Sequence, residues 1–187
     1  FKINSYEDLW HLNQLLETIN HHNMGMVNIT IPNLIDAQAD RRFGDKQSSG
    51  LKLVCKLLNQ YPNKFKIFHP HNPEVVEALM DNVEIIDNSE FIQQVLNKLM
   101  LDKIGGSVNP TQELILMSSD AGGFKPLMKL CDKLDWKGET YSASKYITED
   151  GIKQVVDRQD FGGKDILIID DICVKGGTFK GLSKLLK

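Results

Sequence analysis

The stretch Asp165-Ile166-Leu167-Ile168-Ile169-Asp170-Asp171-Ile172-Cys173-Val174-Lys175-Gly176-Gly177-Thr178 decides how the chain is read. Its first half is a strongly apolar run of strand length that ends in two carboxylates. A Gly-Gly-Thr turn then opens a helical pattern from Thr178. Ligands of open α/β sheets bind at the carboxyl ends of strands. The free N–H groups at a helix start, with glycines allowing close approach, form an anion nest. Two acids just before such a nest can hold sugar hydroxyls or a metal-bound ligand. The loop therefore suits a phosphorylated sugar, with the phosphate on Gly176, Gly177 and Thr178 and the ribose on Asp170 and Asp171. The Gly-Lys-Ser/Thr order of a Walker loop is absent. The competing reading is an ordinary strand–helix turn with solvated acids.

Outward from this loop, strands and helices alternate along the chain. Leu9, Leu12, Leu16 and Ile19 stand at helical spacing behind Ser5, a capping residue type. Val27, Ile29 and Ile31 alternate as a strand stopped by Pro32. Leu51, Val54, Leu57 and Leu58 mark a second helix, and Phe65 and Ile67 a second strand. Pro73 suits the first turn of a helix, and a strand over Val83 to Ile86 follows. Ser89 precedes a helix carrying Ile92, Val95, Leu96 and Leu99. Residues 102–112 hold two glycines and a proline and form the candidate linker. Beyond it, a strand over Glu113 to Met117 leads into Ser118-Ser119-Asp120-Ala121-Gly122-Gly123 and a helix to Leu134. Thr140 to Lys145 reads as a strand, and Tyr146 to Gly163 as a polar, mobile loop. This alternation predicts an α/β fold with a largely parallel sheet. The expected division is residues 1–105 and 106–187.

Composition narrows the function classes. The chain has 187 residues, 41% hydrophobic and 25% charged, with a formal net charge of −3. That is ordinary globular composition, and the charge gives no field for nucleic acid or an anionic membrane. No apolar run is long enough to span a bilayer. Cys55, Cys131 and Cys173 form no C-x-x-C pair and read as incidental thiols of a reduced, cytoplasmic protein. The opening Phe1-Lys2-Ile3-Asn4 has no signal-peptide pattern. It also lacks an initiator Met, and a helical pattern still runs at Lys187, so both ends are expected to be cut or disordered.

Several segments together carry a family resemblance. The turn at Asp170–Thr178 resembles the PRPP-binding loop of type I phosphoribosyltransferases. Ile31-Pro32-Asn33-Leu34-Ile35-Asp36-Ala37-Gln38-Ala39-Asp40-Arg41 is similar to Ile-Pro-Tyr-x-x-x-Ala-Arg-Gln-Asp-Arg of the ribose-phosphate diphosphokinases (PRPP synthetases). Phe68-His69-Pro70-His71-Asn72 resembles the Asp-Pro-His-Ser segment of that family. Met117-Ser118-Ser119-Asp120-Ala121-Gly122-Gly123 resembles its Val-Ser-Pro-Asp-x-Gly-Gly, and Ser144-Lys145 the lysine of its catalytic loop. These occur in the family's order over nearly the whole chain.

The resemblance implies two tandem phosphoribosyltransferase-like domains, both incomplete in this chain. It implies transfer of the diphosphoryl group of ATP to ribose 5-phosphate, giving PRPP and AMP. Gln38, Asp40 and Arg41 would lie on the nucleotide side. His71 and Asp120 would be the Mg²⁺ residues, with direct or water-mediated contact at His71 both open. Lys145 would be the catalytic cation, and Asp170, Asp171, Lys175, Gly176, Gly177 and Thr178 would bind ribose 5-phosphate. A homo-oligomer is expected, with no nucleic-acid or membrane partner.

Three departures bear on activity. Gln38-Ala39 stands where the family has Arg-Gln, Ile147 where it has a second catalytic-loop arginine, and Lys175 where it has Thr. The first two weaken the ATP half, and the third adds charge to the phosphate half. Two alternatives therefore stay open: a phosphoribosyltransferase consuming PRPP, and a synthetase-like regulatory subunit with impaired catalysis.

Overall fold

The structure, a computed structural model, describes residues 3, 5–41, 48–104, 110–148, 151–157, 160–173 and 175–186. It divides into two compact units, residues 1–88 and 89–187.

The first unit is built from sequence-adjacent pieces. Helix α1 (Tyr6–His21) starts on a reciprocal cap, in which the Ser5 hydroxyl accepts the Asp8 N–H at 3.1 Å and the Asp8 carboxylate accepts the Ser5 N–H at 3.0 Å. Such a box satisfies two otherwise orphaned donors. Strands β1 (Asn28–Ile31), β2 (Lys64–Phe68) and β3 (Val83–Ile86) follow, with α2 (Gly50–Leu58) and α3 (Pro73–Leu79) as crossovers. All pairings are parallel, in the order β1-β2-β3. Successive right-handed crossovers that add strands in one direction leave their helices on one face. The core agrees, since Leu12 and Leu16 of α1, Leu51, Val54 and Leu58 of α2, and Val76 of α3 share one cluster with Ile29, Ile31, Phe65 and Ile67. On the other face, Lys64 and Lys66 pair with Glu84 at 2.7 and 3.2 Å.

One glycine in this unit is set by close approach. A Cβ built on Gly50 would lie 2.8 Å from the Asp36 carboxyl carbon and 3.1 Å from its Cβ. Asp36 is itself in the left-handed region at φ +59. Its two carboxylate oxygens accept the Tyr6 hydroxyl at 3.0 and 2.9 Å. Gly50→Ala must push this short, anchored side chain aside, and overpacking of this kind costs about 1–3 kcal/mol. We expect a lowered urea midpoint of the full chain. An unchanged midpoint would mean that Asp36 swings away freely.

The second unit starts with α4 (Ser89–Ile104) and the short α5 (Pro110–Glu113). Strand β4 (Leu114–Ser118) is buried at every position, as a central strand covered on both faces should be. It lies between β5 (Thr140–Ser142) and β8 (Asp165–Ile169), parallel to both. Helix α6 (Phe124–Lys133) connects β4 to β5, and α7 (Gly177–Leu185) follows β8. One face of the sheet is packed by Ile92 and Leu96 of α4 and by Leu127, Leu130 and Cys131 of α6. The other face carries Ile115, Met117 and Phe161.

Two features differ from the sequence expectation. The compact units part between Asn88 and Ser89, not at 105/106, because the apolar stripe of α4 packs into the second core with β4 and α6. The stretch after β5 is not one loop. It forms an antiparallel hairpin, β6 (Ser144–Thr148) with β7 (Gly151–Val155), in which Lys145 stands opposite Gln154 and Ile147 opposite Ile152. Among the described residues no helix is long and apolar enough to cross a membrane. Cys55 and Cys131 are buried and Cys173 is exposed. Burial pushes the Cys55 thiol up to about 11, which leaves it unreactive.

Candidate functional site

In the second unit the chain leaves β4 to one side for β5 and returns on the other side as β8. The carboxyl ends of β4 and β8 therefore flank a topological switch point, the position where open parallel sheets bind ligands. Ser118, Ser119 and Asp120 stand at the end of β4, and Asp170 and Asp171 at the end of β8.

The loop after β4 is held by hydroxyls. The Ser118 and Ser142 hydroxyls lie 2.9 Å apart and reach the Asp120 carbonyl at 2.9 and 3.1 Å. This turns the Asp120 side chain toward the hairpin. Its Oδ1 accepts the Gly123 N–H at 3.1 Å, and its Oδ2 accepts from Lys145 Nζ at 2.9 Å. Asp120 thus caps its own turn and also meets the predicted catalytic lysine. Burial works to raise its carboxyl. The Lys145 ammonium and the N–H groups of Gly123 and Gly122 outweigh that effect and hold it below its ordinary value.

Across the switch point, the hydroxyl of fully buried Ser119 donates to Asp170 Oδ2. Asp170 Oδ1 accepts the Asp171 N–H at 2.9 Å. Burial pushes the Asp170 carboxyl above its ordinary value, against the pull of Ser119, and the neighbouring Asp171 adds to the rise.

The chain then reaches Gly176, in the left-handed conformation at φ +69, as the N-cap of α7. Only glycine adopts that conformation without strain. The first amides of α7 have no intrahelical acceptor, and a helix start favours anions. A Cβ added to Gly177 would meet nothing within 4 Å, so the approach to these amides is open. Lys175 is exposed beside them and Thr178 is half-buried; Val174 lies outside the described residues. Helix α7 also touches the hairpin. At Gly181 there is no room for a Cβ, because the Gln154 side-chain amide packs there.

The first unit gathers a second set of predicted residues. Asp40, with its side chain 8% exposed, accepts from Asn72 Nδ2 at 3.1 Å and from Arg41 Nε at 3.5 Å. Asn72 in turn caps α3 by accepting the Val75 N–H. Asp40 and Arg41 are thus tied to the loop that carries His71. His69 bends that loop in the left-handed region at φ +38. Gln38 and His71 are exposed.

The structure therefore joins Lys145 to Asp120, Ser119 to Asp170, and Asp40 to Arg41 and Asn72. His71 belongs to the first unit and Asp120 to the second. Ser119, Asn72 and Gln154 are contributors that sequence reasoning passed over. Their only signal was position, beside Asp120, beside His71 and within the catalytic-loop segment. Among the described residues no group of three or more His, Cys, Asp and Glu is arranged to hold a metal. Mg²⁺ commonly needs only one or two protein carboxylates, completed by water and substrate phosphates. Asp120 supplies such a hard oxygen, provided Lys145 releases it; the His71 imidazole is a poorer donor for that ion.

The ribose-phosphate pyrophosphokinase of Pyrococcus furiosus is 26% identical over 161 residues, covering 85% of this chain and 53% of that protein. The protein of the same name from Sulfolobus acidocaldarius is 24% identical over 174 residues, covering 91% and 56%. The chain spans about half the length of these curated relatives. The crystal structure of phosphoribosylpyrophosphate synthetase from Mycobacterium smegmatis shares the fold, with a TM-score of 0.75 over 95% of this chain and 55% of that one, at 17% identity. The resemblance to the PRPP synthetases is thus met along nearly the whole chain. The family model of the phosphoribosyl transferase domain matches residues 82–187, more than half of the sequence, and the chain belongs to that family.

Proposed function

We propose that the whole protein is a ribose-phosphate diphosphokinase. The C1 hydroxyl oxygen of ribose 5-phosphate attacks the β-phosphorus of ATP. The bond from that phosphorus to the α-phosphate oxygen breaks, AMP leaves, and the hydroxyl proton passes to solvent. The observation that carries this reading is the Lys145–Asp120 pair at the end of β4, one residue from the Ser119–Asp170 tie. This supports a reading in which Lys145 serves the phosphates and Asp170 the sugar. The names of the relatives support the same reaction.

In this reading Asp170 and Asp171 take the ribose hydroxyls. Lys175, Gly176, Gly177 and Thr178 take the 5-phosphate. Lys145 meets the charge that develops on the transferring phosphates, where catalysis of this kind is mostly positioning and electrostatics. In the first unit Gln38, Asp40 and Arg41 are assigned to the nucleotide and His71 to its Mg²⁺; in the second unit Asp120 is the residue assigned to Mg²⁺. That ion would neutralise the ATP phosphates. A cytoplasmic, self-associating enzyme belongs to the same reading.

A second reading is favoured by Gln38, Ala39 and Ile147, which stand where the resembled family carries an arginine, an amide and an arginine. It is a synthetase-like regulatory subunit that binds ribose 5-phosphate without turnover. One assay of the full-length protein separates the two, by following AMP formation from ATP, ribose 5-phosphate and Mg²⁺. We expect AMP to appear only when ribose 5-phosphate is present. Binding without AMP would establish the regulatory reading. Release of diphosphate from PRPP and a base, with no need for ATP, would establish a transferase.

A further inference from the structure

Ser119 is fully buried, yet it contributes a hydroxyl to no apolar cluster. A buried hydroxyl needs a partner, and the one it has is Asp170 Oδ2, at the end of a different strand. The other carboxylate oxygen of Asp170 is held by the Asp171 N–H at 2.9 Å. With one donor on each oxygen, rotation of the carboxylate is restrained. The segment that resembles this stretch has proline at the position of Ser119, and proline has no donor. The tie is therefore a property of this chain's own sequence.

We propose that Ser119 is a positioning residue for the sugar subsite, holding the Asp170 carboxylate in the orientation in which, with Asp171, it accepts the ribose hydroxyls. This rests on the ribose 5-phosphate reading of the Asp170–Thr178 loop. Ser119 touches no ligand and acts through Asp170. An ionised carboxylate is acceptor-only and suits hydroxyl donors better than its protonated form. Burial opposes ionisation here and the serine donor favours it, so the contact serves both orientation and charge.

The test is calorimetric titration of the full-length protein with ribose 5-phosphate and, separately, with inorganic phosphate, which occupies only the helix start. Ser119→Ala is expected to weaken ribose 5-phosphate by about tenfold or more, the scale of a hydrogen bond to a charged group. Affinity for inorganic phosphate stays unchanged. Ser119→Thr, which keeps the hydroxyl, restores most of the sugar-phosphate affinity. If Ser119→Ala binds ribose 5-phosphate as the wild type does, the positioning role falls and the sugar-phosphate reading stands. Equal loss of both ligands with no rescue by Thr would make Ser119 a packing residue and overturn the proposal. A wild type that does not bind ribose 5-phosphate overturns the reading beneath it as well.

Discussion

Lys145→Ala lowers the rate of AMP formation on the order of 10²-fold or more, the usual effect of deleting a group that meets charge in the transition state. Ribose 5-phosphate affinity is expected to change little, because the residues proposed for that molecule, Asp170, Asp171 and Lys175 to Thr178, lie in the β8–α7 turn and at the start of α7. The substitution also releases Asp120. Its carboxyl is now held below the ordinary value, first against burial and then by Lys145. A depressed folded-state value means stability that is present above the unfolded carboxyl's range and lost as pH falls through the folded value. Without Lys145 that acid-side loss shrinks, which a pH series of urea midpoints reads directly. Ile147→Arg is expected to raise activity, since a second cation would then stand in β6 two residues from Lys145. If Lys153 of β7, or Arg158, which lies outside the described residues, already supplies that charge, Ile147→Arg changes little and neutralising the substitute is severe. Unchanged AMP formation after Lys145→Ala would remove the catalytic assignment altogether.

Gly177→Glu abolishes ribose 5-phosphate binding over the accessible range, a loss of 10²-fold or more. The fold has room for the side chain, because nothing lies within 4 Å of a Cβ at that position. The carboxylate then stands at the helix start, where the 5-phosphate would sit. Two like charges about 4 Å apart near a protein surface repel by roughly 4 kcal/mol. A thermal melt unchanged from the wild type, together with lost binding, identifies an electrostatic cause. Retained affinity would remove the phosphate from this turn and leave Gly176 as a mere helix entry.

The sequence made the local devices legible. Ser5, Pro73, and the Gly-Gly-Thr turn act within a few residues, and their geometry is present in their order. The alternation of Ile29 with Ile31, and of Phe65 with Ile67, gave the strands of the first sheet for the same reason. The partners of an element are harder to read. The stripe of Ile92, Leu96 and Leu99 says that α4 is covered, and says nothing of which sheet covers it. The β6–β7 hairpin escaped notice because Thr140 to Lys145 reads as one strand, and the polar residues after it carry no steady alternation that marks a returning strand. Its existence depends on the register of Lys145 with Gln154. Ser119 is a small polar residue in a loop, and only the approach of β8 gives its hydroxyl a role.

That last dependence reaches into how the protein is made. In the first sheet each strand pairs with a neighbour in chain order, so the sheet can grow as successive βαβ units. In the second sheet β4 gains one partner after α6, but its other partner waits until the hairpin has been passed. Closing a longer loop costs more entropy and slows pairing. Until β8 docks, one edge of β4, apolar along its length, lacks its hydrogen-bonding partner, which is a hazard for mispairing. The same docking brings Asp170 to Ser119. On the proposed reading, competence for the sugar phosphate comes only once β8 has docked, and its binding would act as a brake on unfolding of β8 and α7.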